Sequence, residues 1–147
     1  AKGCADLCGE LTRIYHHIFC AVGTGTTLAG LINGTPAESL VHGVVVLKGA
    51  EYLKTEIDAL LNSPKSYTLY HDFHFGGYGK FGKEIIDFIK EFAQQTGILL
   101  DPVYTAKMML GIIQLAEQDY FIPNSKILAI HTGGLWGLTS DKVAGLT

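Results

Sequence analysis

The chain has 147 residues, which is the length of one compact domain. Apolar residues make up 48% of it and charged residues 17%, so the chain can bury a core and intrinsic disorder is excluded. The formal net charge is −3, and a single arginine stands among the 11 cationic side chains. This balance argues against nucleic acid as a partner.

The three cysteines, Cys4, Cys8 and Cys20, form no C-x-x-C pair, and their odd number is not typical of a disulfide framework or a zinc ribbon. We expect them to be small buried apolar residues in a reducing cytoplasm. No stretch of about 20 mostly apolar residues predicts a membrane span. A signal peptide is not predicted either, because a charged segment followed by an apolar one is missing. The sequence therefore predicts a cytoplasmic protein that does not act at a membrane.

Short apolar runs alternate with segments of helical periodicity along the chain. Strands are predicted at 17–22, 42–47, 66–71 and 126–130. Helices are predicted at 3–14, 26–33, 51–62, 81–97 and 105–117, and a short extended piece at 101–104. Strands that are apolar throughout and are separated by amphipathic helices indicate a parallel sheet with helices on both faces. We expect residues 1–147 to form a single α/β segment.

The first predicted strand ends in a turn rich in glycine and threonine, Gly23-Thr24-Gly25-Thr26-Thr27, which leads into a helix. Small residues let a ligand approach the backbone, and free N–H groups at a helix start can bind an anion. The loop lacks the lysine of a Walker motif, and Leu28 stands where the dinucleotide fingerprint needs glycine. A plain tight turn with a threonine N-cap is the alternative.

Two further segments could contribute to a site at the same edge of the sheet. Thr132 and Gly133 follow the last strand. The histidine directly before them, His131, could have a purely structural role. Tyr104 precedes a helix, where its phenol could transfer a proton or its ring could simply pack in the core. The pair His71-x-x-His74 lacks a third ligand at a useful spacing, so we predict no metal site.

Three motifs, taken in this order, resemble those of the pyridoxal-phosphate-dependent 1-aminocyclopropane-1-carboxylate deaminase and D-cysteine desulfhydrase family. They are AVGTGTTLAGL at 21–31, DPVYTAK at 101–107 and HTGGLWG at 131–137, and GGYGK at 76–80 is also similar. The resemblance implies a tryptophan synthase β-like fold, of whose large domain this chain would be the C-terminal portion. It also implies a small amino-acid substrate and a homodimeric complete protein.

The resemblance implies roles for individual residues. The loop from Gly23 to Thr27 is expected to bind the cofactor phosphate, and Tyr104 to lie beside the cofactor ring as a catalytic group. Thr132 and Gly133 are expected to line the ring pocket, and Thr105 to face the pyridine nitrogen.

The identity of Thr105 bears on the reaction. The deaminase branch is expected to carry glutamate there, which would keep the pyridine nitrogen protonated. A hydroxyl would leave the ring largely neutral, which suits β-elimination of a good leaving group. We therefore favour the desulfhydrase branch, in which a D-cysteine-like substrate gives pyruvate, ammonia and sulfide.

None of the ten lysines stands in the context that the family's Schiff-base lysine occupies. Lys80 and Lys107 lie in motifs of their own. We therefore expect this chain to be inactive by itself. The alternatives are a small phosphate- or nucleotide-binding module without chemistry of its own, and a purely structural or interaction domain.

Overall fold

The computed structural model describes residues 2–134, which contain four strands and five helices. The strands are β1 (His17–Val22), β2 (Leu40–Val45), β3 (Tyr67–Tyr70) and β4 (Ile127–Ala129). The helices are α1 (Lys2–Gly9), α2 (Thr26–Gly34), α3 (Leu53–Ala59), α4 (Lys83–Thr96) and α5 (Thr105–Glu117). All strand pairings are parallel, and the sheet order is β3-β2-β1-β4. The predicted α/β class is confirmed.

Helices cover both faces of the sheet, as predicted. Successive side chains of a strand point to opposite faces, so the neighbours Phe19 and Cys20 of β1 enter different cores. Phe19 packs with Met108 and other apolar residues of α5. Cys20 packs with Leu28 of α2 and Ile57 of α3 on the other face. Strand β1 is therefore buried from both sides, which explains its uninterrupted apolar sequence.

Gly43 on β2 allows α2 to lie close to the sheet. A Cβ at this position would be 2.6 Å from Cδ2 of Leu28 and 2.7 Å from Cγ2 of Val22. Only glycine leaves room for both side chains without a shift of the helix. Because α2 begins at the turn after β1, this close packing also fixes the height of that turn above the sheet.

Two predicted segments differ from the structure. Helix α1 ends at Gly9 rather than near residue 14, and the chain then runs without regular structure until His16 donates its backbone N–H to the Lys126 carbonyl beside β4. Glycine is a poor helix former, and entry into the sheet requires extended backbone. The predicted extended piece Asp101–Tyr104 is a turn, because the Asp101 carboxylate accepts hydrogen bonds from the next backbone N–H groups. The other elements differ from prediction only at their ends.

Of the three cysteines, only Cys20 is fully buried, and burial raises the pKa of its thiol to about 12. Cys4 and Cys8 are only half-buried, which corrects the expectation for these two residues. The Cys8 thiol lies 3.4 Å from the Thr35 hydroxyl. In the stretch from residue 2 to residue 134, no helix has the length and apolar character needed to cross a membrane.

Candidate functional site

A cavity of about 660 Å³ lies at the carboxyl edge of the sheet. Three turns form its walls: the turn after β1, the turn before α5 and the turn after β4. Tyr78, from the glycine-rich loop after β3, completes the lining. Ligands of open parallel sheets bind beyond the carboxyl ends of the strands, so the cavity lies where the topology predicts a site.

The turn after β1 presents the start of α2 to this cavity. Gly25 is the N-cap residue and adopts a left-handed conformation with φ of 80°. A Cβ there would lie 2.6 Å from Cγ1 of Ile57. Among the described residues no side chain caps this end of the helix, so the alternative of a threonine N-cap is wrong. The first N–H groups of α2 remain available to an anion.

Four of the five predicted loop residues line the cavity: Gly23, Thr24, Gly25 and Thr27. Thr26 is exposed and does not line it. Its hydroxyl instead lies 3.3 Å from that of Thr24.

Tyr104 lines the cavity beside Gly23. A Cβ at position 23 would be 3.2 Å from Cε1 of Tyr104 and 3.3 Å from its phenol oxygen. The ring meets that of Tyr78 edge to face, with 6.0 Å between the centroids. Burial, with smaller contributions from Tyr78 and Asp101, raises the pKa of Tyr104 to about 12. The phenol is therefore protonated at neutral pH and can donate a hydrogen bond into the cavity.

The turn before α5 is built by the buried carboxylate of Asp101. One oxygen accepts hydrogen bonds from the backbone N–H groups of Val103 and Tyr104, at 2.9 and 2.7 Å. The other accepts from the backbone N–H of Thr105 at 3.0 Å and from its hydroxyl at 2.7 Å. Asp101 thus satisfies N–H groups that the helix start leaves unpaired.

Thr105 lies behind the cavity wall instead of in it. Its side chain is fully buried, and its hydroxyl also accepts a hydrogen bond from the Asp101 backbone N–H at 2.8 Å. It does not line the cavity. The geometry gives no support to the expected contact between Thr105 and a pyridine nitrogen.

The turn after β4 brings Thr132 and Gly133 to the cavity, as the sequence predicts for a shared site. His131 has a structural role, because both nitrogens of its ring form hydrogen bonds with the backbone. Its Nδ1 accepts a hydrogen bond from the Gly133 backbone N–H at 3.0 Å, and its Nε2 donates to the Leu99 carbonyl at 3.0 Å. Residues 135–137 of the HTGGLWG motif lie outside the described residues.

Within residues 2–134, no lysine lines the cavity. Lys107 is instead fully buried, and its ammonium donates hydrogen bonds of 2.8 Å to the carbonyls of His74 and Gly77. Desolvation lowers the pKa of Lys107 to about 8. In the same part of the chain, no group of three or more His, Cys, Asp or Glu side chains could bind a metal ion.

Sequence reasoning missed two residues of the site. Asp101 was predicted in an extended piece, although aspartate before a helix is a known capping signal. Tyr78 stood out only as part of a glycine-rich motif, because nothing local indicates that its loop reaches Tyr104.

No family model matches the chain. The D-cysteine desulfhydrase of Yersinia enterocolitica is 35% identical, over 88% of this chain and 43% of that protein. The mitochondrial bifunctional D-cysteine desulfhydrase/1-aminocyclopropane-1-carboxylate deaminase of Arabidopsis thaliana is 33% identical, over 88% of this chain and 34% of that protein. A Pyrococcus abyssi protein that bears the deaminase name provisionally is 37% identical, over 80% of this chain and 39% of its own length.

The fold agrees with these sequence relatives. A crystal structure described as that of an ACC deaminase homologue superposes with a TM-score of 0.85 and 31% identity. The match covers 99% of this chain and 49% of that one. The chain spans about two fifths of the length of the curated relatives it matches. By sequence and by fold, the chain belongs to the 1-aminocyclopropane-1-carboxylate deaminase and D-cysteine desulfhydrase family.

Proposed function

We propose that this chain is the cofactor-binding portion of a pyridoxal-phosphate-dependent lyase or deaminase that acts on a small amino acid. One observation carries the proposal: three motifs that are far apart in sequence line one cavity. They are the loop 23–27, the turn 101–104 and the turn 132–134. The names of the family relatives support the same class of reaction.

The cavity suits the phosphate group of this cofactor. Gly23 and Gly25 leave the backbone open to a ligand, and the uncapped start of α2 offers N–H groups and the positive end of the helix dipole. Thr24 and Thr27 add hydroxyl donors. When bound, the pyridine ring supplies an electron sink for negative charge at the substrate α-carbon.

Two side chains would act on the ring and on the substrate. Tyr104 remains protonated at neutral pH, so its phenol oxygen can hold a proton and donate a hydrogen bond beside the ring. Thr132 offers a neutral hydroxyl on the same cavity.

We favour desulfhydrase over deaminase chemistry because of the state of the carboxylate in the described cavity wall. Asp101 is the one carboxylate among residues 2–134 that lines the cavity. Both of its oxygens already accept hydrogen bonds from the turn that it closes. No described carboxylate is therefore free to keep a pyridine nitrogen protonated, and a neutral ring suits β-elimination of a thiol.

That this chain alone is not a catalyst stays part of the proposal; within residues 2–134 no lysine lines the cavity. In this proposal, a segment corresponding to the rest of the relatives' length supplies the lysine. Homodimeric assembly of the complete protein and a cytoplasmic location belong to the same proposal.

The test is a titration of the purified chain with pyridoxal phosphate, followed by borohydride and peptide mapping. We expect saturable binding that inorganic phosphate competes away and adenosine monophosphate does not. No lysine should be modified stoichiometrically. Preferred binding of the nucleotide would instead support a small nucleotide-binding module. Stoichiometric modification of Lys80 or Lys107 would overturn the proposal that the chain lacks its lysine.

A further inference from the structure

Lys107 is a buried cation whose ammonium donates hydrogen bonds to backbone carbonyls. Its side chain has no exposed surface, and no carboxylate in the described part of the chain forms an ion pair with it. A buried ammonium is costly unless hydrogen bonds compensate for its lost hydration. Both of its hydrogen-bond acceptors are backbone carbonyls of one loop, at His74 and Gly77, each at 2.8 Å.

This loop, residues 74–80, turns sharply at several positions. Phe75, Gly76, Gly77 and Gly79 all have positive φ angles, of 49°, 96°, 110° and 66°. Inside the loop, the Gly77 N–H donates to the His74 carbonyl at 3.0 Å and the Lys80 N–H donates to the Gly77 carbonyl at 3.2 Å. Lys107 therefore binds the two carbonyls around which the loop turns.

The loop delivers Tyr78 to the candidate cofactor cavity. Tyr78 follows Gly77 directly and meets the ring of Tyr104 edge to face. Tyr104 precedes α5, and Lys107 lies in the first turn of that helix. The start of α5 is thus joined to the loop at two neighbouring points, by the hydrogen bond to Gly77 and by the ring contact with Tyr78.

We infer that Lys107 is a positioning residue of the cofactor site: its ammonium fixes the loop 74–80 so that Tyr78 forms a wall of the cavity against Tyr104. Its link to the cofactor rests on the proposed function, whereas its control of the loop does not. Lys107 acts through Tyr78 and does not line the cavity itself.

The test compares Lys107→Met with Lys90→Met in the full chain by NMR. Methionine keeps most of the apolar stem and removes the ammonium, and Lys90 is an exposed residue of α4. In Lys107→Met we expect hydrogen exchange of the Gly77 and Lys80 amides to accelerate roughly tenfold or more, because two charge-assisted hydrogen bonds are lost. The NOE between the rings of Tyr78 and Tyr104 should disappear. The amides of β1 and β2 should keep their protection, as they should throughout in Lys90→Met.

A folded Lys107→Met protein with unchanged loop exchange and an intact ring NOE would overturn the inference. If this variant does not fold, the ammonium signals of Lys107 in the wild-type chain at pH 6 show whether its side chain binds the loop. Slow proton exchange with NOEs to Gly77 supports the inference, and exchange as fast as that of Lys90 overturns it.

Titration with pyridoxal phosphate tests the link to the site. We expect its affinity to fall about tenfold in Lys107→Met and to stay unchanged in Lys90→Met. If the wild-type chain does not bind pyridoxal phosphate, the proposed function fails, and the exchange and NOE measurements still decide the role of Lys107 in the loop.

Discussion

The ring of Tyr104 lies so close to the backbone of Gly23 that a single added methyl group would be 3.2 Å from its Cε1 atom. This contact joins the turn after β1 to the turn before α5, two segments that are far apart in sequence. We therefore expect movement of either turn to change the position of the other at the cavity.

Gly23→Ala tests this contact. The added methyl would press on the edge of a side chain, which can shift by a few tenths of an ångström. We expect the free energy of unfolding to fall by no more than about 1 kcal/mol, and the affinity for pyridoxal phosphate to fall about tenfold. Isothermal titration and urea unfolding measure the two effects. Gly82→Ala is the control, because a Cβ there would meet no atom within 4 Å. Equal affinities for both variants would contradict the prediction.

Gly25→Ala should destabilise the fold more than Gly49→Ala does. Both glycines have positive φ angles, of 80° and 68°, so both variants pay the left-handed backbone cost of about 1–2 kcal/mol. A Cβ at position 25 would also overlap Cγ1 of Ile57, whereas position 49 is open. We expect overpacking to cost Gly25→Ala about 1–3 kcal/mol more. Equal losses in urea unfolding would show that the turn after β1 can move away from α3.

Thr105→Val separates a structural role of this hydroxyl from a role in the cavity. Valine removes the donor to the Asp101 carboxylate and the acceptor for the Asp101 N–H, both of them buried. We expect a loss of about 2 kcal/mol in the free energy of unfolding. Thr105→Ser keeps the hydroxyl and should lose less. An altered spectrum of bound pyridoxal phosphate at unchanged stability would instead place the hydroxyl at the ring.

The paired histidines His17 and His42 predict that the fold becomes less stable in acid. Nδ1 of His17 lies 2.9 Å from Nε2 of His42, whose Nδ1 lies 3.2 Å from the Tyr70 hydroxyl. Burial, and then the neighbouring His17, lower the pKa of His42 to about 4 from an ordinary value of 6.5, and burial also lowers the pKa of His17. Between these two values the unfolded chain binds more protons than the folded one, so the free energy of unfolding falls as the pH drops from 6.5 to 4.

The loss should be on the order of 1–2 kcal/mol, after allowance for solvent screening. Urea unfolding across this pH range measures it. His42→Gln should flatten the dependence, whereas His71→Gln, at a histidine whose Nδ1 has no hydrogen-bond partner among the described residues, should retain it. A wild-type chain with constant stability over this range would contradict the prediction.

Local sequence signals predicted the order of the elements, because β-branched runs such as HGVVVL and the apolar spacing of residues 81–92 each permit one kind of structure. The glycine pattern also predicted which turns line the cavity. The orientation of Thr105 could not be read in this way. It depends on whether the carboxylate four residues earlier folds back onto the helix start, and Asp101 does so.

The contact between Lys107 and the loop after β3 was also beyond prediction. Nothing near Lys107 in sequence indicates that its ammonium binds the loop after β3, and its helical neighbours are apolar residues of the core. Helix α1, by contrast, was predicted to be longer than it is. Its predicted periodicity continued to Ile14, but that side chain is 61% exposed and packs on no core, so periodicity alone extended the helix too far.

The pairing of β1 with β4 has a consequence for the folding pathway. His17 pairs with Ile127, and His16 accepts a hydrogen bond from the backbone of Lys126, a partner 110 residues away along the chain. Non-local parallel pairings of this kind slow folding, because a long loop must close before any contact compensates for its entropy. During synthesis on the ribosome, one edge of the central strand therefore stays unpaired until nearly all of this chain has emerged.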